Sequence, residues 1–391
     1  MQKVYGDLHI HIGSALGRPV KITASRQLTL QSLIFEIAPR KGLDVIGIVD
    51  AGSTLVAAEI EQMLESGDLV EHIHGGLSAG NGVLVIPACE VESREGIHLI
   101  SYLPSLSSLI KWQKYMKTRM SNLTLSTQKA DAGIADIINL TYMLDGLFCP
   151  AHVFTPHKGI YGAWTDSIGD KIGHQIKYIK AVELGLSSDT DMADTLAETR
   201  GFTFLSNSDA HSGGNVAREY NLFQVRDKSF KEIKYSIEGK EGRRVAANYG
   251  MDPRLGKYHR TFCLDCNTIM SKPEPVLQCD CGSSNVVTGV YDRIMQIRNY
   301  EQPRHPIGRP PYNYRVPLKD IPGLGPVAMQ KLMSCAESEI ELLEKTPVDW
   351  IEKVAGPGIA GIIKSMRAQR LNISPGGGGK YGKVLKNNSN D

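Results

Sequence analysis

The stretch that most constrains this chain is its opening run, Lys3-Val4-Tyr5-Gly6-Asp7-Leu8-His9-Ile10-His11. In an extended segment alternate side chains share a face, so a strand here points Asp7, His9 and His11 the same way. With Gly13 just beyond, that face carries three donors suited to a divalent metal. A single histidine is commonly a core or surface residue, but Asp-x-His-x-His near a strand end is a metal-ligand spacing.

Up to about residue 250, short β-branched runs alternate with helical periods. Strands are expected at Leu43–Val49, Gly82–Ala88, Gly96–Tyr102, Leu147–Val153, Lys180–Leu184 and Thr203–Leu205. Helices are expected near Thr29–Lys41, Thr54–Glu65, Ser105–Met120, Ala132–Met143 and Asp191–Arg200. Repeated βα units predict a mainly parallel α/β domain, open or closed into a barrel. The ligand-type residues fall at strand ends: Asp50, Glu90, His98, His152, Asp209 and His211. Each alone also suits a helix cap or a core imidazole. Parallel α/β folds gather their strand ends on one rim, however, and together these residues predict a cluster of nitrogen and oxygen donors there. That donor set suits two or three ions of Zn, Mn or Fe, with Mg a further candidate for supporting activity. Such ions acidify a water and neutralise charge on a phosphate, which makes phosphoester hydrolysis the expected chemistry.

The segments Asp7-Leu8-His9-Ile10-His11, Glu90 with His98, Ala151-His152 and Asn207-Ser208-Asp209-Ala210-His211 together resemble the polymerase and histidinol phosphatase (PHP) superfamily over roughly residues 3–240. The resemblance implies an α/β fold, a distorted (β/α)7 barrel, with a multinuclear metal site. Its expected ligands are His9, His11, Glu90, His98, His152, Asp209 and His211, with Glu90, His152, Asp209 and His211 also expected at the reacting centre. One departure stands out: many members carry Asp-His after the second strand, whereas this chain has Asp50-Ala51, so Asp50 is the expected substitute ligand. The loop 154–164 adds Lys158, Tyr161 and Trp164 beside the site. It reads either as packing over the barrel mouth or as a wall where a base stacks and Lys158 or His157 meets a phosphate.

Cys263, Cys266, Cys279 and Cys281 form two close pairs, which in a chain without a secretory signal predict one structural zinc in a closed four-thiolate sphere. Cys89, Cys149 and Cys335 are expected as small buried hydrophobes. Tyr300–Pro317 is dense in Pro, Arg and Tyr and predicts a stiff linker or strap. Ile321-Pro322-Gly323-Leu324-Gly325-Pro326 opens a helix and resembles a helix-hairpin-helix element, in which Gly323 and Gly325 bring backbone N–H groups to a DNA phosphate. Gly356-Pro357-Gly358 looks like a weaker second copy. The expected domains are therefore 1–250, a barrel; 251–299, a zinc module; 300–317, a linker; 318–373, a helical DNA-binding domain; and 374–391, a disordered tail.

The basic surplus of the chain lies in residues 251–391, the portion that carries the hairpin. No apolar run approaches the ~18 residues of a membrane span, which predicts a cytoplasmic protein with no membrane partner. Over its full length the order of modules resembles the endonuclease Q family of PHP-type DNA-repair nucleases. That resemblance implies incision 5′ of deaminated bases (uracil, hypoxanthine, xanthine) and of abasic sites in double-stranded DNA, leaving 3′-hydroxyl and 5′-phosphate ends. A sliding clamp is a further partner open to nucleases of this kind, although no motif here speaks for one. Two other readings fit the residues: a small-molecule phosphatase of the histidinol-phosphate type, and a DNA-binding adaptor with a degraded metal site.

Overall fold

The computed structural model describes residues 1–270, 272 and 278–385. Seven strands form the central barrel: β1 (Gln2–Ile10), β2 (Val45–Ile48), β3 (Leu84–Glu92), β4 (His98–Tyr102), β5 (Leu147–Pro150), β6 (Ala181–Glu183) and β7 (Thr203–Leu205). Pairing runs β1-β2-β3 in parallel, β3-β4-β5 antiparallel and β6-β7 parallel. Val153 N–H donates to the Glu183 carbonyl at 2.9 Å, joining β5 to β6. His11 N–H donates to the Ala210 carbonyl at 2.9 Å and closes the ring.

The split of apolar residues follows the period-two pleat around this ring. Val4, Leu8, Val45, Leu84, Ile86, Ile100, Tyr102, Leu147, Ala181 and Leu205 fill one buried cluster, the barrel interior. Phe230, Ile233 and Ile237 join that cluster and plug one end. Alternate residues such as Ile46, Val85, Leu99, Phe148, Val182 and Phe204 pack outward instead, against the helical layer. That layer includes the helices Thr54–Ser66, Leu106–Met116 and Ile134–Met143, each started by a Ser or Gly N-cap. This is a distorted seven-stranded α/β barrel, followed by a small four-cysteine module and a helical domain.

Two irregularities aim the site. Between Asp7 and Ile10 the β1–β2 register slips by one residue, a bulge that reverses the alternation. Before it Val4 and Leu8 face the interior; after it Ile10 and Ile12 join the outer layer. His9 and His11 are thereby turned to the barrel mouth, while Asp7 is left on the other side. Gly47 makes the room, since a Cβ there would lie 2.2 Å from the Leu8 carbonyl oxygen. The second irregularity is strand direction. β4 runs antiparallel to β3 and β5, so its first residue, His98, reaches the rim where its neighbours end.

Beyond the barrel, β8 (Tyr220–Val225) and β9 (Arg244–Gly250) extend the sheet from β1. The expected linker adds a strand of its own: Tyr312–Tyr314 pairs parallel with β9, and Arg309 binds Asp194 through two nitrogens at 2.7 and 2.9 Å. The segment is a strap seated on the barrel, because its arginines and tyrosines find buried partners. The C-terminal helices Pro326–Met333, Glu339–Glu344, Val348–Ala355 and Pro357–Arg367 enclose a separate core of Leu332, Leu342, Ile351, Ile363 and Met366. The expected disordered tail is ordered as far as residue 385. Ile373–Ser374 pairs with Lys383–Val384, and Gly376 and Gly382 donate to the Arg254 and Leu255 carbonyls at 2.7 and 2.9 Å. Residues 386–391 of that expected tail lie outside the described residues. Cys89 and Cys149 are buried as expected, but Cys335 is exposed. Among the described residues no helix is long and apolar enough to cross a membrane.

Glu219, just before β8, is fully buried, with one carboxyl oxygen accepting from Met251 N–H at 2.9 Å. Burial, joined by the charges of Glu183 and Asp7, pushes its carboxyl up to about 8. The folded chain therefore keeps a proton that the unfolded chain has already released, and stability falls as pH rises from the ordinary glutamate range through about 8. Glu219→Gln is expected to melt like wild type near pH 5 and several degrees higher above pH 8, as read by calorimetry at both pH values.

Candidate metal centre

At the barrel mouth the side chains delivered by β1, β3, β4, β5 and β7 converge. His9 Nε2 and His11 Nε2 lie 3.3 Å apart, each 3.4–3.5 Å from Glu90 and from Asp209 Oδ1. Glu90 Oε1 also lies 3.1 Å from His98 Nδ1 and 3.8 Å from His152 Nε2, and those two nitrogens are 3.3 Å apart. His211 joins Asp209 and His11 in a third group of donors. Ligands about 2.1 Å from a shared tetrahedral ion sit about 3.4 Å from one another, so these spacings fit metal ions. Glu90 belongs to two of the donor groups and is placed to bridge them.

The local electrostatics agree. Burial disfavours charge on His9, yet the carboxylates of Glu183 and Asp209 carry its pKa up to about 10. Burial likewise opposes charge on Glu90 and Asp209, while the surrounding imidazoles hold both well below the ordinary carboxylate range. The carboxylates thus concentrate negative charge at the barrel mouth, where a divalent cation is the natural counter-charge. Backbone strain marks the same place: His152 and Asp209 have φ of +31° and +46°, outside the usual range for such residues. Gly185 is required beside them, because a Cβ there would lie 2.9 Å from that of His152.

Three expected positions come out differently. Asp50 does not face the cluster: Oδ1 accepts from His11 Nδ1 at 2.8 Å and from Ser126, and Oδ2 accepts from Ile12 N–H at 2.6 Å. It orients His11 from behind. Asp7, on the far side of the bulge, accepts from Ser208 and Ala217 N–H at 3.1 Å each and anchors the loop that carries Asp209. Tyr161 is fully buried, its hydroxyl on Glu198 at 2.5 Å and its ring stacked on Phe154, which leaves no face for a base. Trp164 is half-buried against the same core. Lys158 does line the mouth, paired with Glu92 at 2.8 Å.

Other residues escaped the sequence. Glu183 Oε2 accepts from His9 Nδ1 at 2.9 Å and from Asn207 at 3.2 Å, fixing the tautomer that leaves Nε2 free for a metal. It ends β6, so the strand-end criterion that selected Glu90 applies to it equally. Lys21 sits 3.6 Å from Glu90 Oε2 and brings a cation to the donors. Nothing in its sequence context signals this. Arg218 donates to the Ser208 and Asp209 carbonyls and to the Tyr381 hydroxyl, tying the Asp209 loop to the C-terminal hairpin. Glu183→Gln is expected to weaken metal binding roughly 10–100-fold, measured by competition against a chelator.

The cavity over the donors has a volume of about 460 Å³, and Lys21, Lys158, Arg218, Lys257, Tyr258 and Tyr381 are among its walls. In the cysteine module the Sγ atoms of Cys263 and Cys281 are 3.8 Å apart, those of Cys266 and Cys279 are 3.4 Å apart, and all four lie within 4.8 Å of one another. Four thiolates around a zinc at ~2.3 Å sit about 3.8 Å apart, so this set fits a closed structural site.

Barrel and donor set together define a distorted α/β barrel with a candidate multinuclear metal site at its mouth. No family model matches the chain. It is 36% identical over 389 residues to the uncharacterised protein YqxK of Bacillus subtilis, covering 98% of this chain and 100% of that one. The crystal structure of the lesion-specific endonuclease PfuEndoQ from Pyrococcus furiosus matches with a TM-score of 0.84 and 34% identity, covering 98% of this chain and 95% of that chain. A complex of endonuclease Q with a 27-mer duplex carrying an abasic lesion at its active site matches equally, at TM-score 0.84 and 34% identity, covering 98% and 96%. The chain belongs to the endonuclease Q family.

Proposed function

We propose that this chain is a metal-dependent DNA-repair endonuclease that hydrolyses the phosphodiester 5′ of deaminated bases and of abasic sites. The observation that carries this is the donor-lined cavity at the barrel mouth of a chain matched over 98% of its length by a DNA-bound lesion endonuclease. His9, His11, Glu90 and Asp209 would hold one divalent ion, Glu90, His98 and His152 a second, and His211 would complete a third position. Bound ions would supply Lewis acidity and a nucleophile at neutral pH. The chain's own groups do the positioning. Lys21, Lys158 and Lys257 set positive charge around the cavity where the scissile and flanking phosphates lie. Glu183 and Asp50 hold the two β1 imidazoles in fixed tautomers. Arg218 keeps the Asp209 loop in its strained conformation.

The cavity is large enough for one nucleotide turned out of the stack, an extrusion that costs least at a damaged or mismatched base. Its walls come partly from beyond residue 250, through Lys257, Tyr258 and Tyr381, which disfavours a phosphatase barrel acting alone. The zinc module and the helical domain would grip the duplex. At the start of helix Pro326–Met333, Gly323 has φ of +88° and Gly325 is the N-cap, a turn suited to a backbone phosphate.

The test uses end-labelled duplexes with one uracil, hypoxanthine, xanthine, abasic site or no lesion, with Mg or Mn added. Wild type is expected to nick 5′ of the lesion, leaving 3′-hydroxyl and 5′-phosphate ends, and Asp209→Ala to leave every duplex intact. Hydrolysis of a small phosphomonoester with lesion duplexes untouched would overturn the proposal.

A further inference from the structure

We infer that Ile22 is a wedge that enters the base stack of the duplex beside the extruded nucleotide, an inference that rests on the DNA-endonuclease function proposed above. Ile22 is 83% exposed, among the most exposed large apolar side chains described. Its neighbours Lys21 and Thr23 both line the cavity over the metal donors, so Ile22 stands at the rim. It occupies the corner of a tight turn closed by Ala24 N–H donating to the Lys21 carbonyl at 3.1 Å.

An isolated exposed isoleucine needs no special account. This one differs in how it is held. Val20 and Ala24, on either side of the turn, are buried. The Val20 carbonyl accepts from Ser126 N–H at 3.0 Å, and Ser25 N–H donates to the carbonyl of His211, a candidate metal ligand, at 2.8 Å. The turn is therefore fixed at both ends to the segments that build the site. Its tip stays at a set distance from the reacting centre, as a wedge requires and a flexible loop tip does not.

The occupant that fits is the base stack of a DNA duplex. Lys21, Lys158 and Lys257 surround the same mouth and match a phosphate backbone, and the similar endonuclease Q complex carries its duplex with the lesion at the active site. Turning one nucleotide into the cavity leaves a gap between its neighbours. Apolar side chains inserted between base steps fill such gaps and hold a kinked duplex open. A branched, rigid isoleucine at the rim suits that role, with Lys21 placed to meet the adjacent phosphate.

The test compares wild type with Ile22→Ala, Ile22→Asp and Ile22→Phe in the full-length, metal-loaded protein. Substrates carry a lesion in a fully paired duplex, in a bulge, or in single-stranded DNA, with 2-aminopurine next to the lesion. For the paired duplex, wild type and Ile22→Phe are expected to give a stopped-flow rise in 2-aminopurine fluorescence before nicking. Ile22→Ala and Ile22→Asp should lose that rise and nick the paired duplex about tenfold or more slowly, while bulged and single-stranded substrates are cut at nearly wild-type rate. Unchanged melting temperatures would show that the variants fold. The inference is overturned if the fluorescence rise and the paired-duplex rate survive in Ile22→Ala and Ile22→Asp, or if all three substrates slow equally. Failure of wild type to nick any lesion substrate would overturn the function and the wedge with it. Nicking unaffected by Ile22 would overturn the wedge alone.

Discussion

Glu90→Gln is expected to slow nicking of lesion-bearing duplex at least ~10³-fold while the protein still folds. The side chain keeps its size, so the barrel interior beneath it is undisturbed. What changes is a carboxylate shared by two donor groups: Oε1 lies toward His9, His98 and His152, and Oε2 toward His11 and Thr127. An amide offers one oxygen and no charge, so two metal positions weaken together. Elemental analysis should show loss of more than one barrel ion, and single-turnover assays should show the lost rate. Retention of all metal with full activity would mean that Glu90 serves Lys21 and Thr127 rather than ions.

Cys279→Ser is expected to remove one equivalent of zinc, open the 260–290 region to protease, and weaken DNA binding about tenfold or more, with the barrel ions retained. Among its described residues the module has almost no core of its own: beyond Cys263 and Cys279, only Met270 is buried in its cluster. Metal binding in zinc modules supplies about 10–16 kcal/mol, far more than so few apolar contacts provide. The barrel stands on a separate core and should keep its melting transition. The helix after the four cysteines, Val290–Ile297, packs Val290 and Ile294 into the outer barrel layer, which confines the damage to the cysteine-bearing segment. A binding isotherm and a zinc count on the same preparation decide the matter.

The residues that meet at the barrel mouth were legible because each announces itself by type at a strand end. His9, His11, Glu90, His98, His152, Asp209 and His211 needed no long-range information to be picked out. Their assembly at one rim did. His98 lies at the start of its strand, and it reaches the rim because β4 runs backwards, a direction no residue in β4 encodes. Asp50 and Glu183 were misjudged in opposite senses. Both are carboxylates at strand ends, and only the hydrogen bonds to imidazole nitrogens separate a residue that orients a ligand from a ligand. Tyr161 and the segment 374–385 failed for another reason. Composition reports polarity and aromaticity, whereas burial against Phe154 and pairing onto Arg254 and Leu255 are decided by distant parts of the chain.

The bulge in β1 makes the site depend on room as well as on identities. Give position 47 a side chain and every candidate donor is still encoded, while the strand loses the space for its extra residue and is left to pair regularly with its neighbour. The two histidines would then face the helices, and the apolar side chains the mouth. A relative that keeps all seven donor residues but carries a bulkier residue at that one position on β2 would fold without its donors gathered at the rim. Among members of this family, a glycine on the second strand is therefore as sharp a guide to activity as an inventory of ligands.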